Sequence, residues 1–191
     1  MRGLPSIGET FRYDVPDTME TLNGYIKRIR QYALEGIGDP FTLDAARKIV
    51  SRCKPYDQKC ETKAIFEFVR SRVKYTPAPS RYGKEVLQTQ AKMLADIDMF
   101  GRASGECEEI ATLMAALLAN VNIETALVYG ADEMSEENGV MHPNYKHVWV
   151  AARVPGVAVN EGWVHLDATG YKLKPGQHFK FKFYGWDFLA S

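Results

Sequence analysis

The chain has 191 residues, and its 24 Lys and Arg balance 24 Asp and Glu, for a formal net charge of zero. That balance removes the electrostatic case for a nucleic-acid or anionic-membrane partner. The composition, 46% hydrophobic and 25% charged, is that of a folded domain with a sizeable core rather than a disordered chain. No apolar run approaches the length of a membrane span, and Met1 to Glu9 lacks the apolar stretch of a secretory signal. Cys53, Cys60 and Cys107 are an odd set, which does not read as a disulfide framework. Cys53 and Cys60 read as helix-packing residues, although they could pair. A reducing, cytoplasmic location is the simpler expectation.

Residues 1–16 are punctuated by Gly and Pro and read as an extended arm. Asp17 or Thr18 then caps a helix with an apolar stripe of Leu22, Ile26, Ile29 and Ala33, ended by Gly36, Gly38 and Pro40. Thr42 is expected to cap a second helix with Ala45, Ala46, Ile49, Val50 and Cys53 inward, stopped by Lys54-Pro55. Asp57 opens a third, with Ile65, Phe68, Val69 and Val73 at helical spacing, broken at Tyr75 to Pro79. Residues 84–100 suggest short helical turns on Val86, Leu87, Leu94, Ile97 and Phe100.

The clearest helix follows Ser104-Gly105. Ile110, Leu113, Met114, Leu117 and Leu118 fall at i, i+3, i+4, i+7 and i+8 among alanines, which predicts a buried helix. The period then changes to two. Thr125 to Tyr129 reads as a strand, and Asp132 to Asn144 as a polar surface loop. His147 to Val154 reads as a strand, Pro155 to Gly162 as a turn and Trp163 to Asp167 as the next strand. Residues 178–184 form a third, with Phe179, Phe181 and Phe183 alternating against Lys180 and Lys182. Helices first and strands last give an α+β fold.

Cys107 falls in the first turn of the buried helix, where helix charge and free N–H groups favour a thiolate. Glu106, Glu108 and Glu109 oppose it, so a thiolate here needs a cationic partner. Of His142, His147, His165 and His178, His147 starts a strand and Asp167 ends the next. A simple hairpin that sets His147 opposite Asp167 also sets Trp149 opposite His165 and Ala151 opposite Trp163, all on one face. The carboxylate would then fix the imidazole tautomer. His165 reads as a core or rim residue beside Trp149. His142, His147 and Cys107 make a poor metal-ligand pattern, so no metal is expected.

Gly105-Glu106-Cys107-Glu108-Glu109-Ile110-Ala111, followed by a Leu-rich helix and Ile123-Glu124-Thr125-Ala126, resembles the nucleophile motif of transglutaminase-like domains. His147-Val-Trp-Val is similar to that family's His strand, and Gly162-Trp-Val-His-Leu-Asp-Ala-Thr169 to its Trp-x-x-Leu-Asp-x-Thr segment. Ile65 to Tyr75 resembles its upstream helix. Ala168 stands where the family usually has Pro, and Asn122 where it often has Gly. The acidic Cys motif most resembles compact prokaryotic and bacteriophage versions.

The resemblance implies a papain-like α+β fold, with the nucleophile on a central buried helix packed against a C-terminal antiparallel sheet. It also implies acyl transfer at an amide or peptide bond, without a cofactor: Cys107 attacks, His147 moves protons, and Asp167 orients His147. The Cys107 backbone N–H would stabilise the oxyanion, with Tyr75 or Gln90 as candidate second donors. Residues 17–185 would form the domain and 186–191 an aromatic tail. A peptide or protein is the expected substrate. The arm and the tail are candidate contacts with a protein partner or a second copy. The alternative is a structural or assembly protein, such as a phage virion component, that keeps the fold as a scaffold. A phage origin would place the chain in the bacterial host cytoplasm or the virion.

Overall fold

The structure is a computed structural model that describes residues 10–14, 19–76, 84–137, 139–157 and 162–189. Five helices precede most of the sheet: α1 Met19–Gly36, α2 Pro40–Val50, α3 Gln58–Arg72, α4 Gln90–Phe100 and α5 Cys107–Ala119. The strands are β1 Thr10–Asp14, β2 Val73–Tyr75, β3 Lys84–Gln88, β4 Ala103–Gly105, β5 Thr125–Glu137, β6 Val140–Arg153, β7 Trp163–Leu166 and β8 Phe183–Leu189. β7, β6, β5 and β8 form an antiparallel sheet in that order. β1 pairs antiparallel with β3, and β2 parallel with β4. The fold is α+β, as expected.

The helix α5 is the centre of the molecule. Eleven of its thirteen residues are buried, because the alanines leave no polar face. It packs on α1, α2, α3, α4 and on the inner face of the sheet. Ile65, Phe66 and Val69 of α3, Ile29 and Ala33 of α1, and Leu127, Val148, Val150 and Leu166 of the sheet surround it in one core. Asn122, which follows α5, has φ 60°. Asn is, after Gly, the residue that adopts this left-handed position most readily.

Local signals account for most boundaries. Asp57 caps α3 through the Cys60 N–H. Asp39, not Thr42, caps α2: its carboxylate accepts the Thr42 N–H at 2.8 Å, and Pro40 takes the first helical position. The Asp17 or Thr18 cap lies outside the described residues, as do residues 1–9 and 15–16 of the expected arm. Residues 10–14 are a paired strand.

Further expectations are corrected. Residues 84–88, read as helical turns, are strand β3, and the helix α4 starts at Gln90. Residues 132–144 are not a loop but the outer part of a long β5–β6 ribbon, still paired from Met134 with Pro143 to Glu137 with Val140. With both faces wet, the ribbon shows no apolar alternation to read. The strand expected at 178–184 begins only at Phe183, and what read as a tail from Trp186 is the body of β8, paired with β5 from Thr125 to Ala131. Arg30 of α1 pins it through Asp187 at 3.0 Å. Cys53 and Cys60 are joined as a disulfide across the α2–α3 turn, which leaves Cys107 as the free thiol. Cys53 lies beyond the end of α2 at Val50, and Cys60 sits in the first turn of α3, so the bridge ties the turn to the start of that helix.

Because β8 is part of the sheet, deleting residues 186–191 removes buried Leu189 and the Asp187 ion pair together. The truncation is expected to destabilise the domain by more than the ~2–5 kcal/mol that losing one buried Leu costs. Urea unfolding followed by circular dichroism measures this, and an unchanged midpoint would mean β8 is not docked.

Candidate active site

The position of Cys107 is set by the segment before it. Parallel pairing of β2 with β4 places Tyr75 beside Gly105. A Cβ on Gly105 would come within 3.0 Å of the Glu109 Cβ and 3.2 Å of the Met93 methyl, so any larger residue would have to push these neighbours aside. Glu106 caps α5 from an extended backbone, and Glu109 reaches back to accept the Glu106 N–H at 2.7 Å. The other Glu109 oxygen accepts the Gln88 N–H at 3.3 Å and ties the helix start to β3.

The remaining glutamate turns to the thiol. The Cys107 S–H donates to Glu108 Oε2 at 3.2 Å, while the Val148 backbone N–H of β6 donates to the sulfur. Cys107 is 7% exposed. Burial first, and then the Glu108 carboxylate, push its thiol well above the ordinary range, so the resting group is a neutral thiol.

On β6, the residue before Val148 is His147. Its Nε2 lies 2.9 Å from Asp167 Oδ2. The β6–β7 register differs by two from the simple hairpin: Ala151, not Trp149, faces His165, and Arg153 faces Trp163. A two-residue slip keeps every side chain on its face, so His147 and Asp167 meet diagonally instead of directly. Asp167 is fully buried. Burial pulls its carboxyl up, but bonds from His147 and from the Thr169 hydroxyl and N–H outweigh it, and the net direction is down. An ionised Asp167 requires the proton of neutral His147 to sit on Nε2, which leaves Nδ1 as the basic nitrogen.

Aromatic rings shield this pair. His147 stacks near Trp149 and Phe181, with ring centroids 5.7 and 5.9 Å away, and meets the edge of Phe179 at 5.5 Å. Phe181 reaches this position over Gly130, which pairs with His147, and a Cβ there would overlap the ring. His165 packs as expected. It accepts the Trp149 indole N–H on Nδ1 at 2.9 Å, and burial, with His178 nearby, lowers its pKa to about 4. A neutral ring is what that acceptor role needs.

The structure therefore brings His147 and Asp167 together and sets Cys107 against the next residue of β6. Among the described residues no hydrogen bond joins Cys107 to His147, and the thiol is bonded to Glu108 instead. Tyr75 lies at the site: its phenol is raised by burial and then by Cys107, Glu106, Glu108 and Asp167. Gln90 does not. Its amide packs by Gly36 and Ala116, and Ala116 is nine residues, about 13.5 Å, along α5 from Cys107. His142 faces Ser135 in the outer ribbon, away from the site. Thr169, Glu108 and the Phe179–Phe181 shield were missed as site groups. Thr169 carried a signal, two residues after Asp167, and Glu108 was legible as a charge opposing the thiolate though not as its hydrogen-bond partner.

A sequence model of the transglutaminase-like superfamily matches residues 44–168. Among solved structures, a presumed cysteine protease from Cytophaga hutchinsonii aligns with a TM-score of 0.47 and 17% identity, over 84% of this chain and 49% of its own. A presumed protease from Parabacteroides distasonis aligns with a TM-score of 0.43 and 16% identity, over 74% of this chain and 29% of its own. The chain thus spans less than half the length of either. A search of curated protein sequences finds no significant match.

The capping glutamate gives the site's neighbourhood a pH signature. Burial raises the Glu109 carboxyl from 4.5 to about 7. A raised acid binds its proton more tightly when folded, so its stabilisation is complete below pH 4.5 and is lost as pH rises through about 7. The difference corresponds to about 3 kcal/mol. Stability of the native chain, from urea midpoints between pH 4.5 and 7.5, is expected to fall with rising pH, and Glu109→Gln is expected to flatten that slope. Equal slopes in the two proteins would remove Glu109 as the cause.

Proposed function

The chain belongs to the transglutaminase-like superfamily, and on that premise we propose that it is a thiol hydrolase or acyltransferase acting on amide bonds of a peptide or protein. Cys107 is the nucleophile, His147 the base through Nδ1, and Asp167 the group that orients His147. The observation that carries this reading is the His147–Asp167 bond of 2.9 Å, closed off by aromatic rings, on the strand whose next N–H reaches the Cys107 sulfur.

That reading orders the steps. The thiol proton passes to His147 Nδ1, and Asp167 stabilises the imidazolium. The sulfur attacks the carbonyl carbon, and the Cys107 backbone N–H, free at the helix start, faces the developing oxyanion. Tyr75 is the candidate second donor, since burial and nearby acidic groups keep its phenol protonated. His147 returns the proton to the leaving amine. Water then releases an acid, or an amine releases a cross-linked product.

One observation favours the scaffold reading: the thiol rests neutral on Glu108. Trp186 and Phe188, 39% and 54% exposed on edge strand β8, would serve there as an assembly contact with a partner or a second copy. A phage virion component remains within that reading. The Cys53–Cys60 disulfide supports an oxidising compartment over the cytoplasm.

The test uses fluorescein-labelled casein for hydrolysis and dansyl-cadaverine incorporation into casein for amine transfer. Cys107→Ser and His147→Ala are expected to lower the active rate by about 10²–10⁴-fold. His165→Ala is expected to keep activity while losing about 1–3 kcal/mol of stability, because the buried Trp149 N–H loses its acceptor. Loss of activity in a folded His165→Ala, with His147→Ala active, would transfer the base role to His165. Casein turnover that survives Cys107→Ser would end the thiol mechanism.

A further inference from the structure

The sulfur of Cys107 stands between opposed influences. The Val148 N–H and the helix N-terminus favour a thiolate. Glu108 opposes them at hydrogen-bond distance. The other two glutamates of the motif are accounted for: Glu106 caps the helix and Glu109 closes the capping box and holds Gln88. Among the described residues Glu108 has no such capping task, and the hydrogen bond of its carboxylate is the one from its neighbour's sulfur.

A thiol has one proton and so donates one hydrogen bond. While that proton points at Glu108 it cannot point at His147 Nδ1, and nucleophilic attack requires the second arrangement. We propose that Glu108 is a positioning residue that holds the Cys107 thiol protonated and turned from His147, so that the site rests latent until this carboxylate swings away or is neutralised. The proposal rests on the triad reading above and adds its control.

The other groups around the sulfur do not substitute for Glu108. Glu106, on the same helix, acts more weakly on the thiol than Glu108 does. Tyr75 of β2 stays a neutral phenol. Asp167, beyond β7, is committed to His147 and Thr169. His147 of β6 is the partner from which the sulfur is withheld.

The test reads the thiol itself. Thiolate formation is titrated by ultraviolet absorbance, as the difference between each protein and its Cys107→Ser counterpart. In parallel, the rate of alkylation by iodoacetamide, in which the thiolate forms a C–S bond and iodide leaves, is followed by mass spectrometry from pH 5 to 10. With Cys53 and Cys60 paired, both signals belong to Cys107. Glu108→Gln and Glu108→Ala are expected to lower the thiolate midpoint by at least one pH unit, and so to raise alkylation at pH 7 by about 10-fold or more. Adding His147→Ala to Glu108→Gln is expected to reverse that gain. Unchanged midpoints in both folded Glu108 variants would overturn the proposal directly. A midpoint lowered by Glu108→Gln but indifferent to His147→Ala would overturn it at its premise, by removing His147 as the thiol's partner.

Discussion

The structure depends on the burial of α5 around nearly its whole circumference. A helix with no wet face must be enclosed by layers on every side, and here four helices and the sheet supply them. Enclosure fixes the helix along its axis and about it, and its first residue is then fixed too. That residue is Cys107. The precision of the site is a by-product of core packing, which is strongest exactly where alanines let neighbouring backbones approach.

At the end of this apolar rod the chemistry is electrostatic. The helix start offers unpaired N–H groups, and Glu106 and Glu109 satisfy part of that demand as caps. Glu108 and Glu106 stand near a thiol that would ionise more readily without them. On the sheet side the opposite design holds: Asp167 is buried, yet its two oxygens are met by His147 and Thr169, and it stays ionised. One half of the site is thus poised for charge and the other held neutral. The bond between Glu108 and the sulfur lies on the boundary between the two halves.

Much of this was legible in the sequence, for identifiable reasons. The Leu and Ala run of α5 states its burial directly, and Asp57 and Gly105 mark helix and motif boundaries by local chemistry. His147 and Asp167 were found because period-two alternation survives a register slip of two residues; a slip of one would have parted them. Other elements left no local trace. β2 and β4 are three-residue strands whose pairing is a tertiary event. β8 hid behind a lysine alternation that belongs to an irregular segment. Phe66, at 0% exposure, lies outside the stripe read for α3 because a helix packed on two sides has no single stripe. The Glu108 contact depends on a side-chain rotamer, which sequence does not carry.

The β5–β6 ribbon has a consequence for how this domain can diversify. Register irregularities fall between Gly130 and Ala131 and between Ala131 and Met134, just beyond the pair Gly130–His147. Past them, among the described residues, the ribbon pairs with itself, to a turn at Gly139. Residues added or removed in pairs near that turn would leave the register at His147 untouched, because one residue on each strand forms a new pair without shifting the existing ones. The ribbon is therefore a module that descent can lengthen, shorten or recolour with charge at little cost to the packing around His147, and reach toward other molecules can evolve there independently of the candidate site.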